Sequence, residues 1–335
     1  MTLSPLPADA IRAIHLGGTQ TLAALERRIA AASGDVAMEL NQIAEPGTIR
    51  AIEGSAAGAA RFHLLADARV PLGGLEDRLR GASEGMGGRY VTYGTSEESW
   101  QHAKMFHFTD DAGEPETWIG NLAPIPMARA RTELSLVLGG DAAHAARAVT
   151  DATLDGAGRL AIGDAIDAAG RYGVLFNDPL AGRGHVSTAI NETFDARLPE
   201  DLLVITKGIQ HPRSTTAIID AHRAGRDVQV FVRDIARPDA ERLADAGVDA
   251  WQVKGDLQPR VNVFFAGDRG VATTSFLWGN MLDDPALATS RDAGVLVDGD
   301  QGRLVRDAAM STIEAMQVRT SVSDLVRAGT LPETI

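Results

Sequence analysis

A histidine and a lysine stand two residues apart in the first third of the chain, at His102 and Lys104. If this segment is a β-strand, the two side chains point to the same face, so an imidazole lies beside an ammonium group. The ammonium group can hold an anion while the imidazole acts as a nucleophile towards it. The pair therefore indicates chemistry at an anionic centre such as phosphate, although its spacing alone is a weak signal.

The elements around this pair occur twice along the chain, which indicates an internal duplication. The first half has a short apolar strand at 36–40, then an Ala-rich helix and a strand at 61–67. The second half repeats this order with a strand at 202–206, a helix at 214–224 and a strand at 227–233.

Both halves also end in the same way. Each continues through a helix to a further strand, at 102–108 in the first half and at 260–265 in the second. Each then closes with a strand that carries an acid, Glu133 or Asp292. Two β-α-β units in the same order, closed alike, predict one α/β molecule in which the 102–108 and 260–265 strands lie near a common axis.

This repeat resembles that of the phospholipase D superfamily, which reads His-x-Lys, four residues, Asp, then Gly-Ser-x-Asn and later Asn-x-Glu. The first half matches it at His102, Lys104, Gly120 and Glu133, while Asn121 stands in place of the Ser. The resemblance implies two phospholipase D-like β-α-β repeats related by pseudo-two-fold symmetry, with sheets flanked by helices.

The second half keeps the frame of the repeat and loses its reactive groups. Arg260 stands at the His position and Asn262 at the Lys position, while Ser290 and Asp292 lie near the Asn-x-Glu. In the first half, Arg131 replaces the later Asn. The second repeat is therefore degenerate.

The division into repeats predicts a first unit at 1–155, which carries the His-x-Lys pair, and a degenerate second unit at 156–335. The segment 151–170 is rich in Gly, Ala and Asp and is predicted to bridge them. Helices alternating with short strands favour parallel sheets covered on both faces.

The resemblance also implies roles for the matching residues. In the family one His attacks phosphorus to give a phosphohistidine, and the His of the other repeat protonates the leaving oxygen. On this pattern His102 is the nucleophile, Lys104 holds a phosphoryl oxygen and Glu133 orients the imidazole. The predicted substrate-binding residues are Arg260, Asn262, Asn121 and Ser275.

The degenerate repeat leaves the proton donor open. Arg260 cannot be the general acid because its guanidinium stays protonated. His211 is the best substitute, since it follows the 202–206 strand at the carboxyl end, where ligand crevices of parallel sheets lie. Two other interpretations stand beside it: a surface loop histidine, or a leaving group that is already a good anion, such as pyrophosphate.

Composition limits the partners. The chain has 335 residues, 32 Lys+Arg against 45 Asp+Glu, and a net charge of −13, which works against nucleic acid or an anionic membrane as the partner. A small phosphate-containing substrate in a local positive pocket is compatible with this charge. The absence of Cys excludes disulfides, zinc-thiolate sites and cysteine nucleophiles.

No signal peptide, no apolar run near 18 residues and no metal or nucleotide motif is recognisable in the sequence. We therefore expect no membrane span, no metal and no cofactor, in a cytoplasmic, bacterial-style protein that is a monomer or a homodimer.

Three functions follow from these observations. The first is an active phosphodiesterase or phosphoryl/phosphatidyl transferase that uses His102 on a small phosphodiester. The second is a catalytically degenerate member that binds a phosphorylated ligand or partner, and the third is a different transfer reaction at the same site. Loss of the second His favours the last two. Retention of His102, Lys104 and Glu133 together favours the first, because a binding protein needs no oriented imidazole.

Overall fold

The computed structural model describes residues 2–55, 61–68, 74–94, 100–110, 112–195, 197–209, 212–254, 258–273, 290–316 and 318–334. Over these residues the molecule consists mainly of two large mixed sheets flanked by helices.

The strands are β1 (Ile11–Leu16), β2 (Val36–Leu40), β3 (Phe62–Asp67), β4 (Tyr90–Tyr93), β5 (Trp100–Gln101), β6 (Met105–Thr109), β7 (Pro115–Gly120), β8 (Arg131–Thr132), β9 (Leu134–Leu138), β10 (Val174–Asp178), β11 (Arg183–Gly184), β12 (Leu202–Ile209), β13 (Val228–Ile235), β14 (Asp249–Lys254), β15 (Gln258–Pro259), β16 (Val263–Ala266), β17 (Arg269–Thr273), β18 (Ser290–Val297) and β19 (Val318–Ser321). The α-helices are α1 (Gly18–Ala30), α2 (Pro46–Ser55), α3 (Gly74–Gly85), α4 (Gly140–Leu154), α5 (Arg159–Gly170), α6 (His185–Thr193), α7 (Pro212–Arg223), α8 (Arg237–Asp245), α9 (Gly299–Glu314) and α10 (Val322–Ala328), and Pro126–Ala130 form a short 3₁₀ helix.

The two sheets show the duplication directly. One has the order β1-β9-β7-β6-β2-β3-β4, and the other contains the series β18-β17-β16-β12-β13-β14. The series β9-β7-β6-β2-β3-β4 and β18-β17-β16-β12-β13-β14 match strand for strand, so the predicted pair of like repeats is confirmed.

The prediction of parallel sheets is only partly right. β2, β3 and β4 pair in parallel, as do β12, β13 and β14, because a helix connects each strand to the next. The other neighbouring strands within these two series pair antiparallel, including β6 with β7 and β16 with β17. Short turns connect β6 to β7 and β16 to β17, and a short turn can join only antiparallel neighbours.

The sheets bury apolar side chains on both faces. A central core lies between them and takes in Met105 and Ile119 from the first sheet and Val263 and Phe265 from the second. Helices α1, α2 and α3 cover the outer face of the first sheet, and α6, α7 and α8 cover that of the second. The predicted bridge at 151–170 is mostly helical, in α4 and α5, and packs into the central core. The division at residue 155 stays a prediction.

A fully buried ion network ties the halves together. The Arg291 guanidinium donates from Nε and Nη2 to the Glu39 carboxylate, at 2.9 and 3.0 Å, and from Nη1 to Asp178. The Tyr93 hydroxyl donates to Asp178 at 2.8 Å, and the Gln101 amide donates to Glu39 at 3.0 Å. Burial opposes the charge of Arg291, but the two carboxylates outweigh burial and raise its pKa.

We expect the substitution Arg291→Ala to lower the free energy of unfolding by about 3–5 kcal/mol, because it leaves two carboxylates buried without their partner. The matched control is Arg61→Ala, since Arg61 makes a bidentate pair with Asp35, at 2.8 and 2.7 Å, from an exposed side chain. That loss should cost no more than about 1 kcal/mol. Urea unfolding of both variants measures the difference, and equal losses would contradict the role given to Arg291.

Candidate active site

Each half of the molecule adds a short strand to the other half. β5 pairs in parallel with β18, and β15 pairs in parallel with β8. Directly after these strands, the His102 N–H donates to the Arg291 carbonyl at 3.0 Å, and the Arg260 N–H donates to the Thr132 carbonyl at 3.0 Å. Arg260 thus has the same backbone setting in the second half that His102 has in the first, as the alignment of the repeats predicted.

The His102–Lys104 segment is not a strand, contrary to the prediction; β6 begins only at Met105. The backbone N–H groups of His102 and Ala103 both donate to the Arg291 carbonyl, at 3.0 and 2.7 Å, which a regular ladder does not allow. The Lys104 side chain still lies close to His102, because its ammonium group donates to the backbone carbonyl of His102 at 2.9 Å.

Asp292 orients the His102 ring. Nδ1 of His102 lies 3.1 Å from Oδ1 of Asp292, and both side chains are buried. A buried carboxylate only accepts, so Nδ1 carries the proton and Nε2 carries the lone pair. We predicted that Glu133 would contact this ring, and the structure shows Asp292 in contact with it instead. The reason is the exchange of short strands between the halves. β5, which directly precedes His102, pairs with β18, and β18 carries Asp292.

The surroundings of His102 favour the neutral imidazole. Burial lowers the pKa of this histidine, and the nearby charges of Lys104 and Lys207 lower it further, against the opposing effect of Asp292. The neutral ring is the form that can attack an electrophile.

Glu133 lies near the guanidinium groups of Arg131 and Arg260. Its two carboxyl oxygens are buried and have no hydrogen-bond partner among the described residues. Burial raises the pKa of Glu133 to about 8, although the charges of Arg131, Arg260 and Lys104 act against this. At neutral pH the group is therefore mostly protonated, which suits a position beside a bound anion.

Near neutral pH, Lys104 is close to the midpoint between its charged and neutral forms. Burial lowers the pKa of its ammonium group to about 7, with Asp292 opposing the shift and Arg260 adding to it. A phosphate held nearby would favour the charged form.

Four further cations lie close enough to one another, around His102 and Lys104, to interact electrostatically. They are Arg131, Lys207, Arg233 and Arg260. Burial, followed by the charges of Arg131 and Arg233, lowers the pKa of Arg260 to about 10. Nε and Nη1 of Arg131 and Nε of Arg260 are buried without an acceptor among the described residues. Buried donors are almost always satisfied, so these unmet guanidinium donors indicate an anion site.

Two predicted substrate-binding residues have mainly structural contacts. Asn262 Oδ1 accepts from the Thr206 hydroxyl at 3.2 Å and from the Lys207 N–H at 3.0 Å, which fixes the carboxyl end of β12 beside the site. Asn121 is buried directly after β7, and its N–H donates to the Leu134 carbonyl at 3.2 Å. Their roles in binding stay predictions.

The predicted residues His211 and Ser275 lie outside the described residues. Conversely, the cations Lys207 and Arg233 were not assigned a role from the sequence. A signal for them existed, because each lies towards the carboxyl end of one of two adjacent parallel strands, where ligand crevices form.

Within the described ranges, no three His, Asp or Glu side chains lie close enough together to hold a metal ion. In the same part of the chain, every helix is too short or too polar to cross a membrane.

No protein-family model matches the sequence, and no curated protein does either. Solved structures do match. Phosphatidylserine synthase from Haemophilus influenzae has a TM-score of 0.68 at 13% identity, over 96% of this chain and 89% of that chain. Polyphosphate kinase from Porphyromonas gingivalis has a TM-score of 0.63 at 16% identity, over 93% of this chain and 51% of that chain, so this chain spans about half of that enzyme.

A mutant of yeast tyrosyl-DNA phosphodiesterase matches with a TM-score of 0.57 at 11% identity, over 85% of this chain and 88% of that chain. All three belong to the phospholipase D superfamily. The protein therefore has the phospholipase D fold, and the fold expected from the repeats is confirmed.

We expect binding of an anion to take up protons between about pH 7 and 8, because a nearby negative charge raises the pKa of Lys104 and of Glu133 from their values of about 7 and 8. Sulfate is a suitable probe because it does not titrate in this range. Calorimetry in buffers of different ionisation enthalpy measures the uptake, and Lys104→Met should reduce it. Proton release on binding would contradict this electrostatic description.

Proposed function

We propose that the protein is a phosphodiesterase or a phosphoryl/phosphatidyl transferase that acts on a small phosphate-containing substrate through a covalent intermediate on His102. The observation that carries this proposal is the buried hydrogen bond between His102 and Asp292 beside unpaired guanidinium donors. The fold neighbours support the general kind of reaction, since they include a synthase, a kinase and a phosphodiesterase.

The geometry assigns a step to each group. Asp292 holds the proton on Nδ1 of His102, so that Nε2 attacks phosphorus and forms a P–N bond. The charges of Lys104, Arg260 and Arg131 stabilise the negative charge that develops on the phosphoryl oxygens. Water or another acceptor then attacks phosphorus, the P–N bond breaks, and the imidazole is regenerated.

An alcohol leaving group would still need a proton at the first step. Arg260 occupies the place equivalent to His102 and cannot supply one. His211 is the candidate donor that the sequence offers. The same Arg260, within a cluster of cations, also favours the second candidate function, binding of a phosphorylated ligand without turnover.

An oriented imidazole distinguishes the two functions. A binding protein gains nothing from a neutral, buried histidine whose tautomer is fixed by a buried carboxylate, since an arginine would hold phosphate better. The first function therefore accounts for both His102 and Asp292, whereas the second accounts only for the cations.

His102→Ala should lower turnover of bis(4-nitrophenyl) phosphate by about 10³-fold or more, because the covalent route is lost. In the wild type, acid quenching followed by mass spectrometry should find the phosphate adduct on the peptide that contains His102. His144→Ala is the matched control, since His144 is an exposed residue of α4. Full activity in a folded His102→Ala protein would refute the proposal.

Asp292→Asn should lower kcat by about 10²-fold or more and change its pH profile, because an amide can donate to Nδ1 and so favours the wrong tautomer; in a serine protease the same change costs about 10⁴-fold. Glu133→Gln should have a clearly smaller effect, since the amide resembles the protonated acid that burial favours there. Steady-state kinetics over a pH series tests both variants. A larger loss in Glu133→Gln than in Asp292→Asn would restore Glu133 as the orienting acid.

A further inference from the structure

We infer that the substrate is a condensed phosphate, in which the reacting terminal phosphoryl group is joined through an anhydride oxygen to a second phosphate. This inference rests on the proposed covalent chemistry at His102 and adds the class of substrate. Three observations carry it: the net charge of the site, the arrangement of its cations, and the residue that replaces the second histidine.

The charge of the site exceeds what one phosphodiester needs. Five cationic side chains lie close together there: Lys104, Arg131, Lys207, Arg233 and Arg260. Two carboxylates neutralise part of this charge, Asp234 and Asp292, and Asp292 is the one that contacts His102. With Glu133 protonated and Lys104 in the charged form that a bound phosphate favours, about three positive charges are left over, in a chain whose net charge is −13. A phosphodiester carries one negative charge, whereas a diphosphate monoester carries about three near neutral pH.

The cations form two groups. Arg260 stands at the position of the second repeat that corresponds to His102, and Lys104 lies beside His102, so these two cations can hold the reacting phosphoryl group. Lys207 and Arg233 lie side by side on β12 and β13, because the register pairs Thr206 with Val232.

Like charges directly opposite each other on neighbouring strands are destabilising. Arg233 is paired with Asp234, but Lys207 makes no ion pair with any described residue. A second phosphate next to the reacting one would neutralise this pair.

The proton balance agrees with a condensed phosphate. Nε2 of His102 bonds to the terminal phosphorus, the bond from that phosphorus to the anhydride oxygen breaks, and this oxygen leaves with the electron pair. The leaving group is a phosphate monoester dianion, whose conjugate acid has a pKa of about 6, so it needs no proton near neutral pH. The replacement of a general acid by Arg260 therefore does not prevent this reaction.

The second step balances in the same way. Water attacks the phosphorus of the phosphohistidine, and the P–N bond breaks with its electron pair returning to Nε2. Both hydrogens of the water molecule stay on the product, which leaves as dihydrogen phosphate. No group of the protein has to give or accept a proton in either step.

The test compares tripolyphosphate with a series of aryl and alkyl phosphodiesters. We expect tripolyphosphate to be cleaved, and kcat/KM in the diester series to fall steeply as the pKa of the leaving group rises, because no donor assists departure. Lys207→Gln and Arg233→Gln should lower kcat/KM for tripolyphosphate by about 10–100-fold, and by a clearly smaller factor for bis(4-nitrophenyl) phosphate. Arg61→Gln, at an exposed ion pair, is the matched control for removing one positive charge.

The outcomes separate this inference from the proposed function. If bis(4-nitrophenyl) phosphate labels His102 but tripolyphosphate is not cleaved, the inference is wrong and the proposed function stands. A flat dependence on leaving-group pKa would also overturn the inference, since a proton donor such as His211 would then be acting. If no substrate labels His102 in the wild type, the proposed function fails and the inference fails with it.

Discussion

The buried guanidinium of Arg291 is the interaction on which the arrangement of this molecule depends. Its side chain joins Glu39 from the first sheet to Asp178 from the second, and its carbonyl accepts from the backbone N–H groups of His102 and Ala103. One residue thus fixes the contact between the halves and the position of the histidine. A charge buried so completely is stable only with its partners in place, so the interface tolerates little displacement.

The two repeats have the same backbone arrangement but place different charged groups on it. On one side a carboxylate faces an imidazole, Asp292 with His102, and on the other a carboxyl group lies near a guanidinium, Glu133 with Arg260. Burial favours the neutral form of His102 and keeps Glu133 largely protonated, so the protein itself neutralises the surrounding cations only in part. A molecule with an overall negative charge can in this way present a locally positive site, and this site attracts an anion more strongly because burial reduces the screening by water.

Much of the fold could be predicted from the sequence, because it is encoded in local patterns. The apolar run at 36–40 is a strand with those bounds, and the helix predicted at 214–224 is α7, displaced by at most two residues. The candidate site was harder, because its contacts join distant parts of the chain. Glu133, the acid of the strand that closes the first repeat, was given the orienting role that we propose for Asp292, since the exchange of short strands between halves leaves no trace in local residue patterns.

The exchange of β5 and β15 also determines when the site can form during folding. The hydrogen bond between His102 and Asp292 joins residues 190 positions apart, so it belongs to the contacts with the greatest loop-closure cost in the chain. Each sheet can assemble its own hairpins early, but an oriented imidazole exists only after both sheets have formed and docked. The proposed nucleophile is therefore assembled late, and a partly folded chain contains His102 and Asp292 without the contact that we propose activates the histidine.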